Sequence, residues 1–311
     1  MATFNRFGNM SPTPEINANN FLLAEKPFKI IGNIYYVGNT HASSILIDSG
    51  EGLILLDTPS WPEYAYLLDA IYTLGFNPRD IKYVVVSHSH ADHYGCAQAL
   101  KYMYGCKTFI GRVDAEYMQA HKEQIEEMGR SRGSVTPWPH FDVLLEDGDV
   151  IELGNVKMRC VLTPGHTVGV MSHFWETEED GKTYKVGIYG GAGFVTVGTE
   201  AIKRNGLPMS IQQDFWDSID KVWDEEVNVM LGNHPFHNDT FDKNERRVPG
   251  GPNPFVDPTE WKRYLQELRD RYGEFLKLTP EEVAEMYRGN GFFDYRPQLL
   301  ERYEEYKAKY L

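Results

Sequence analysis

Tyr83-Val84-Val85-Val86-Ser87-His88-Ser89-His90-Ala91-Asp92-His93 joins an apolar run to a cluster of ligand-type side chains. The run Tyr83–Val86 is an aromatic residue followed by three β-branched ones, without charge, which predicts a buried strand. Directly after it, His88, His90, Asp92 and His93 place four candidate ligands within six positions. A tight loop leaving a strand can aim alternate side chains at one metal ion and the remaining ones at a second ion beside it, while the strand holds the loop still.

Upstream, short apolar segments separated by Gly and Asn predict a strand meander at Ile30–Val37, Ser44–Ile47 and Leu53–Asp57. Leu67, Ala70, Ile71 and Leu74 then recur at helical spacing up to Gly75, so a β-α-β order leads into the histidine loop. Downstream, a helix is expected over Cys96–Tyr104, a strand over Thr108–Gly111 and a helix between Asp114 and Met128. Strands follow at Val150–Leu153, Val156–Leu162, Val170–Glu176 and Tyr184–Tyr189, then a helix over Ile211–Glu225 and a strand over Val227–Leu231. Two β-rich halves, each carrying helices, predict an αββα sandwich of α/β class. The organisation expected is an arm over 1–27, a catalytic domain over 28–258 and a helical extension over 259–311. In the extension, Trp261, Tyr264, Leu265 and Leu268 form an apolar stripe that should pack on the main domain or on a second copy in a homo-oligomer.

Of the 311 residues, 41% are hydrophobic, enough for a sizeable core, and no apolar run approaches the length of a membrane span. The polar N-terminal stretch containing Pro12 and Pro14 does not resemble a secretory leader. With three cysteines in no CxxC spacing, this predicts a reduced, cytoplasmic protein without a membrane partner. A net charge of −14 argues against nucleic acid and for a small-molecule substrate, because phosphate backbones are bound through Lys and Arg.

His88-x-His90-x-Asp92-His93 resembles the HxHxDH motif of the metallo-β-lactamase superfamily. Thr163-Pro164-Gly165-His166-Thr167 and Gly232-Asn233-His234-Pro235 stand where that family places its further ligands, and the resemblance spans roughly residues 28–272. It implies the αββα fold and a first site of His88, His90 and His166, tetrahedral once water is added. It implies a second site of Asp92, His93 and His234, with the nearby His237 as the competing candidate. Zinc is the implied metal at both, although such donors also accept iron or manganese.

Many members of the superfamily carry a bridging Asp in a turn between the third and last histidines. Here that turn reads Gly190-Gly191-Ala192-Gly193-Phe194, without a carboxylate. The remaining ligands match the pattern of subclass B3 β-lactamases, whose substrate-binding serines fall at Ala192 and Phe194. The resemblance therefore implies a B3-like binuclear hydrolase in which an activated water attacks an amide or ester, Asp92 orients that water as the catalytic residue, and β-lactams are poor substrates. The alternatives are a genuine B3 β-lactamase, a lactonase or thioesterase, and a catalytically silent metal-binding scaffold. Asp57, ending a strand, is the candidate partner for a ligand histidine. Trp138, Phe141 and Phe194 are candidates for the substrate pocket. His41, His121, His140 and His173 match nothing in the family and are expected to be ordinary histidines.

Overall fold

Leu53-Ile54-Leu55-Leu56 is apolar at all four positions because both faces of this strand are covered: Ile54 and Leu56 point into one apolar cluster, Leu53 and Leu55 into another. Successive side chains of a strand point to opposite faces, so an unbroken apolar run marks a strand buried between two layers. The computed structural model describes residues 6–7, 16, 18–131, 135–286 and 297–310; residues 1–5, 8–15 and 17 of the expected arm lie outside the described residues.

One sheet holds β1 (Phe28–Ile31), β2 (Ile34–Tyr36), β3 (Ile45–Asp48), β4 (Leu53–Leu56), β5 (Ile81–Val85), β6 (Lys107–Gly111) and β7 (Val143–Leu145) in that order. Its first four strands run antiparallel and β4 to β7 run parallel. The other sheet holds β8 (Val150–Leu153), β9 (Val156–Leu162), β10 (Met171–Glu179), β11 (Lys182–Tyr189) and β12 (Val229–Gly232), an antiparallel meander with β12 added parallel to β11. Ile34, Ile54, Val85, Met158, Trp175, Ile188 and Leu231 meet in the core between the sheets.

Helices Tyr64–Thr73, Ala97–Tyr104 and Arg112–Ala120 cover the outer face of the first sheet. Thr199–Asn205, Ile211–Lys221 and Glu260–Phe275 cover the second. The αββα sandwich is the observed architecture. Trp261, Tyr264, Leu265 and Leu268 pack with Phe215, Ile219 and Val222 of this same chain, so the stripe of the C-terminal extension is consumed internally. That helix is a layer of the sandwich, and its apolar face is not left over for a second copy. Among the described residues, no helix is long and apolar enough to cross a membrane.

Several boundaries differ from those expected. The strand read as Ile30–Val37 is two strands, because Gly32 turns at φ +52° and a Cβ there would lie 2.2 Å from Thr177 Oγ1. The helix read between Asp114 and Met128 is two, Arg112–Ala120 and Lys122–Ser131. The short strand β7 and the helices Ala91–Tyr94 and Thr199–Asn205 escaped the pattern, being too brief for periodicity to register.

Candidate metal centre

The histidine loop leaves the C-terminal end of β5. Around it converge Asp57 after β4, His166 after β9, Gly190 after β11 and His234 after β12. Ligands of open α/β sheets gather at the carboxyl ends of parallel strands, where side chains of adjacent loops meet.

His88, His90 and His166 each offer a ring nitrogen to one small volume, with all three atoms within 4.8 Å of one another. Their ring centroids are 4.7–4.8 Å apart and their planes nearly perpendicular, at 82° to 89°. The far nitrogens are engaged by backbone: Nδ1 of His88 donates to the Gly190 carbonyl at 2.9 Å, and Nδ1 of His166 donates to that of Gly193. Each ring thus presents an unprotonated Nε2 inward. Nε2 of His88 is buried without a hydrogen-bond partner, and Nε2 of His166 lies 3.0 Å from Nδ1 of His90. Such an orphaned acceptor is costly unless a cation takes its lone pair. Burial and the neighbouring imidazoles lower the pKa of His88, and the same causes bring His166 to about 3, so the neutral forms a metal requires prevail.

The second group stands beside the first, with the His88 and His93 rings 4.1 Å apart. Nε2 of His93 lies 3.3 Å from Nε2 of His234 and 3.6 Å from Oδ2 of Asp92, and the last two atoms are 3.8 Å apart. Nδ1 of His93 donates to Oδ2 of Asp57 at 2.9 Å, and Nδ1 of His234 donates to the carbonyl of His41 at 2.6 Å. Burial opposes charge on His93, but Asp92 and Asp57 outweigh it and raise its pKa. Burial would raise Asp92, yet His93, His41 and His234 hold its carboxyl well below the usual range. His237 is turned elsewhere: its Nδ1 pairs with Oδ1 of Asn233 at 2.8 Å and its ring packs on Phe7, so His234 is the one beside Asp92.

The glycine turn has a steric reason. A Cβ on Gly191 would sit 2.6 Å from Cδ2 of His166, and one on Gly190 would sit 1.9 Å from the Met171 carbonyl. The backbone passes so close to the His166 ring that no side chain fits at Gly191; the turn contributes carbonyl acceptors in place of a carboxylate. The Gly190 carbonyl also takes Nδ2 of Asn233 at 2.6 Å, tying the His88 and His234 loops together.

Two partners of this centre were not read from the sequence. Asp114 is fully buried; its Oδ2 accepts from Ser89 N and Thr167 Oγ1, both at 2.8 Å, and its Oδ1 from Gly169 N at 2.7 Å, which clamps the loops that carry His90 and His166. No sequence signal singles it out from other acids at helix starts. His41, expected to be ordinary, has a ring nitrogen grouped with Asp92 and His234 within 4.8 Å, its Nδ1 lying 3.8 Å from Asp92 Oδ2. Its position two residues after an Asn in a strand-connecting loop offered no hint.

The pocket assignments fare differently. Phe194 is completely buried among Phe7, Tyr272 and Phe275, so it is a core residue and not a cavity wall. Trp138 and Phe141 line a cleft with Ala115, Met118, Gln119, His140 and Leu144, where Lys122 lies over the Trp138 ring; no metal-centre residue lines it. The sequence placed these aromatics near the site only because loops there are functional in general.

A protein-family model described as the metallo-beta-lactamase superfamily matches residues 37–178. The fold is similar to that of BJP-1, a subclass B3 metallo-β-lactamase of Bradyrhizobium japonicum. The TM-score is 0.73 and the identity 26%, over 83% of this chain and 96% of that one. It is also similar to native FEZ-1, a metallo-β-lactamase of Legionella gormanii, with a TM-score of 0.72 and 28% identity over 82% and 96% of the two chains. A probable polyketide biosynthesis zinc-dependent hydrolase of Bacillus subtilis, PksB, is 25% identical over 65% of this chain and 75% of its own length.

Proposed function

Because this chain belongs to the metallo-β-lactamase superfamily, we propose that it is a hydrolase that takes two zinc ions and cleaves an amide or ester bond of a small molecule, with weak or no turnover of β-lactams. The observation that carries the reading is the convergence of two ligand groups whose far nitrogens are already committed: His88 and His166 to Gly190 and Gly193 carbonyls, His93 to Asp57, His234 to the His41 carbonyl. Fixing the outer nitrogen sets the tautomer and points the inner lone pair at the ion. In this assignment His88, His90 and His166 hold the first ion and Asp92, His93 and His234 the second.

Bound there, paired cations supply Lewis acidity and bring the pKa of water towards neutrality. The chain does the positioning. His88 and His93 form the buried floor, while His90, Asp92, His166 and His234 are partly exposed, so the site opens towards solvent on their side and substrate enters there. Asp92, kept ionised by the surrounding imidazoles, orients the attacking water through its carboxylate.

The neighbours named as B3 β-lactamases favour a second reading, in which β-lactams are the true substrates. Against it, Ala192 and Phe194 are buried and neither side chain can donate a hydrogen bond to a substrate carboxylate. Forfeiting one bond to a charged group costs roughly 1.5–3 kcal/mol, about ten- to a hundredfold in binding. Metal analysis of protein purified without added metal, with a hydrolysis screen over β-lactams, lactones, thioesters and phosphodiesters, tests both readings. Two equivalents of zinc and turnover of a non-β-lactam amide or ester are expected. A kcat/KM of ~10⁴–10⁸ M⁻¹s⁻¹ on a penicillin, cephalosporin or carbapenem, the range of evolved enzymes, would establish the second reading instead.

A further inference from the structure

The loop from β2 to β3 carries His41 and is built as a rigid platform. Oδ1 of the buried Asn39 accepts from the backbone N–H of His41 at 2.7 Å and of Ala42 at 2.8 Å, and its Nδ2 donates to Oε2 of buried Glu63 at 2.5 Å. Thr40 N donates to the Leu23 carbonyl and Ser43 N to that of Asn233, each at 3.0 Å, so the loop is tied to the segment that carries His234. Gly38 admits no side chain, since its Cβ would lie 2.5 Å from Ser44 N. This network leaves the His41 ring largely buried beside Asp92, with its centroid 5.1 Å from that of His234.

Resting on the two-ion reading, we propose that His41 is a fourth protein ligand of the second ion, completing a site of three imidazoles and one carboxylate with Asp92, His93 and His234. Metal–donor bonds of about 2.0–2.1 Å put donors roughly 3.4 Å apart at tetrahedral angles and at most about 4.2 Å apart when opposite. Four separations fall inside that window: 3.3 Å (His93 to His234), 3.6 Å (His93 to Asp92), 3.8 Å (His234 to Asp92) and 3.8 Å (His41 to Asp92); a ring nitrogen of His41 also lies within 4.8 Å of one of His234. The glycine turn withholds a carboxylate from one side of the second ion, and His41 supplies a donor from another loop. An ion so enclosed has no open tetrahedral position, so it is held firmly and serves to position and neutralise charge, while the first site keeps the open place that water needs.

The test compares wild-type protein with His41→Ala, both stripped of metal and titrated with Co(II) against a competing chelator while the visible absorption of the bound ion is followed. Alanine keeps the backbone N–H and carbonyl of residue 41 that hold the loop and His234. The affinity for the first ion, together with the thermal midpoint, therefore reports whether the variant is folded. The expected result is two ions in the wild type. In the variant, the first binds as before, the second at least about tenfold more weakly, and the spectrum of the second shifts as one imidazole is lost. Two ions bound by the variant with wild-type affinities and spectrum would overturn the assignment of His41 while leaving the two-ion reading intact. A single ion in the wild type would overturn that reading and this inference with it.

Discussion

Asp57 concentrates much of what the second ligand group needs in one side chain. It accepts from Ser87 N and Ser87 Oγ, both at 2.7 Å, and from Nδ1 of His93 at 2.9 Å, and it does so from a left-handed backbone at φ 58°. That conformation costs energy for most residues and clusters at functional sites, where surrounding contacts enforce it. Asn tolerates left-handed backbone as Asp does, so Asp57→Asn leaves the turn alone while replacing one acceptor oxygen by a donor. His93 then loses the partner that fixes its tautomer. The expected outcome is a second-ion affinity lowered about 10- to 100-fold, with the first ion nearly unaffected. Metal titration of the variant checks it, and equal weakening of both ions would mean that Asp57 supports the loop generally.

At the scale of elements, the turn Gly190–Gly193 shows why a loop in contact with an imidazole ring is sequence-restricted. Gly191→Ala puts a methyl 2.6 Å from Cδ2 of His166, nearer than real Cβ contacts come, so either the ring or the turn must move. Because Gly193 O holds Nδ1 of His166 and Gly190 O holds Nδ1 of His88, movement of the turn disturbs two of the three ligands proposed for the first site. The variant should remain folded, since the sheets on either side are untouched, but bind the first ion at least about tenfold more weakly, the scale of losing an outer-shell partner. Inductively coupled plasma metal analysis alongside a circular-dichroism melt distinguishes this from unfolding. Wild-type metal content would show that the ring relaxes at no cost.

For the whole molecule, the decisive element is the helix Glu260–Phe275. It buries Trp261, Tyr264, Leu265, Leu268, Tyr272 and Phe275 against the second sheet, and Trp261 Nε1 donates to the Val222 carbonyl at 2.9 Å. Burial of a large apolar side chain is worth about 1.5–3 kcal/mol, so six amount to roughly 9–18 kcal/mol before the entropy of ordering is subtracted. That matches the entire net stability of a typical domain, about 5–15 kcal/mol. Removing residues 259–311 is therefore expected to give insoluble or molten protein. A truncated chain that stayed soluble with an unchanged thermal midpoint would show the helix to be dispensable.

The candidate ligand set was legible in the sequence because it is local. His88, His90, Asp92 and His93 fall in one loop after one strand, and a short motif with His166 and His234 in order downstream survives without knowledge of the fold. The layers were legible too, since apolar runs such as Leu53–Leu56 declare strands covered on both faces. Tertiary structure alone decided the surroundings. Asp114 reaches Ser89 across 25 residues and Gly169 across 55, and His41 meets a carboxylate and an imidazole from loops remote in the chain. It also sent Phe194 into the core and the C-terminal stripe onto its own sheet. A hydrogen-bond acceptor or an aromatic ring has no periodicity that names its partner. Only the packing of two sheets face to face determines which loops, and so which side chains, come within reach.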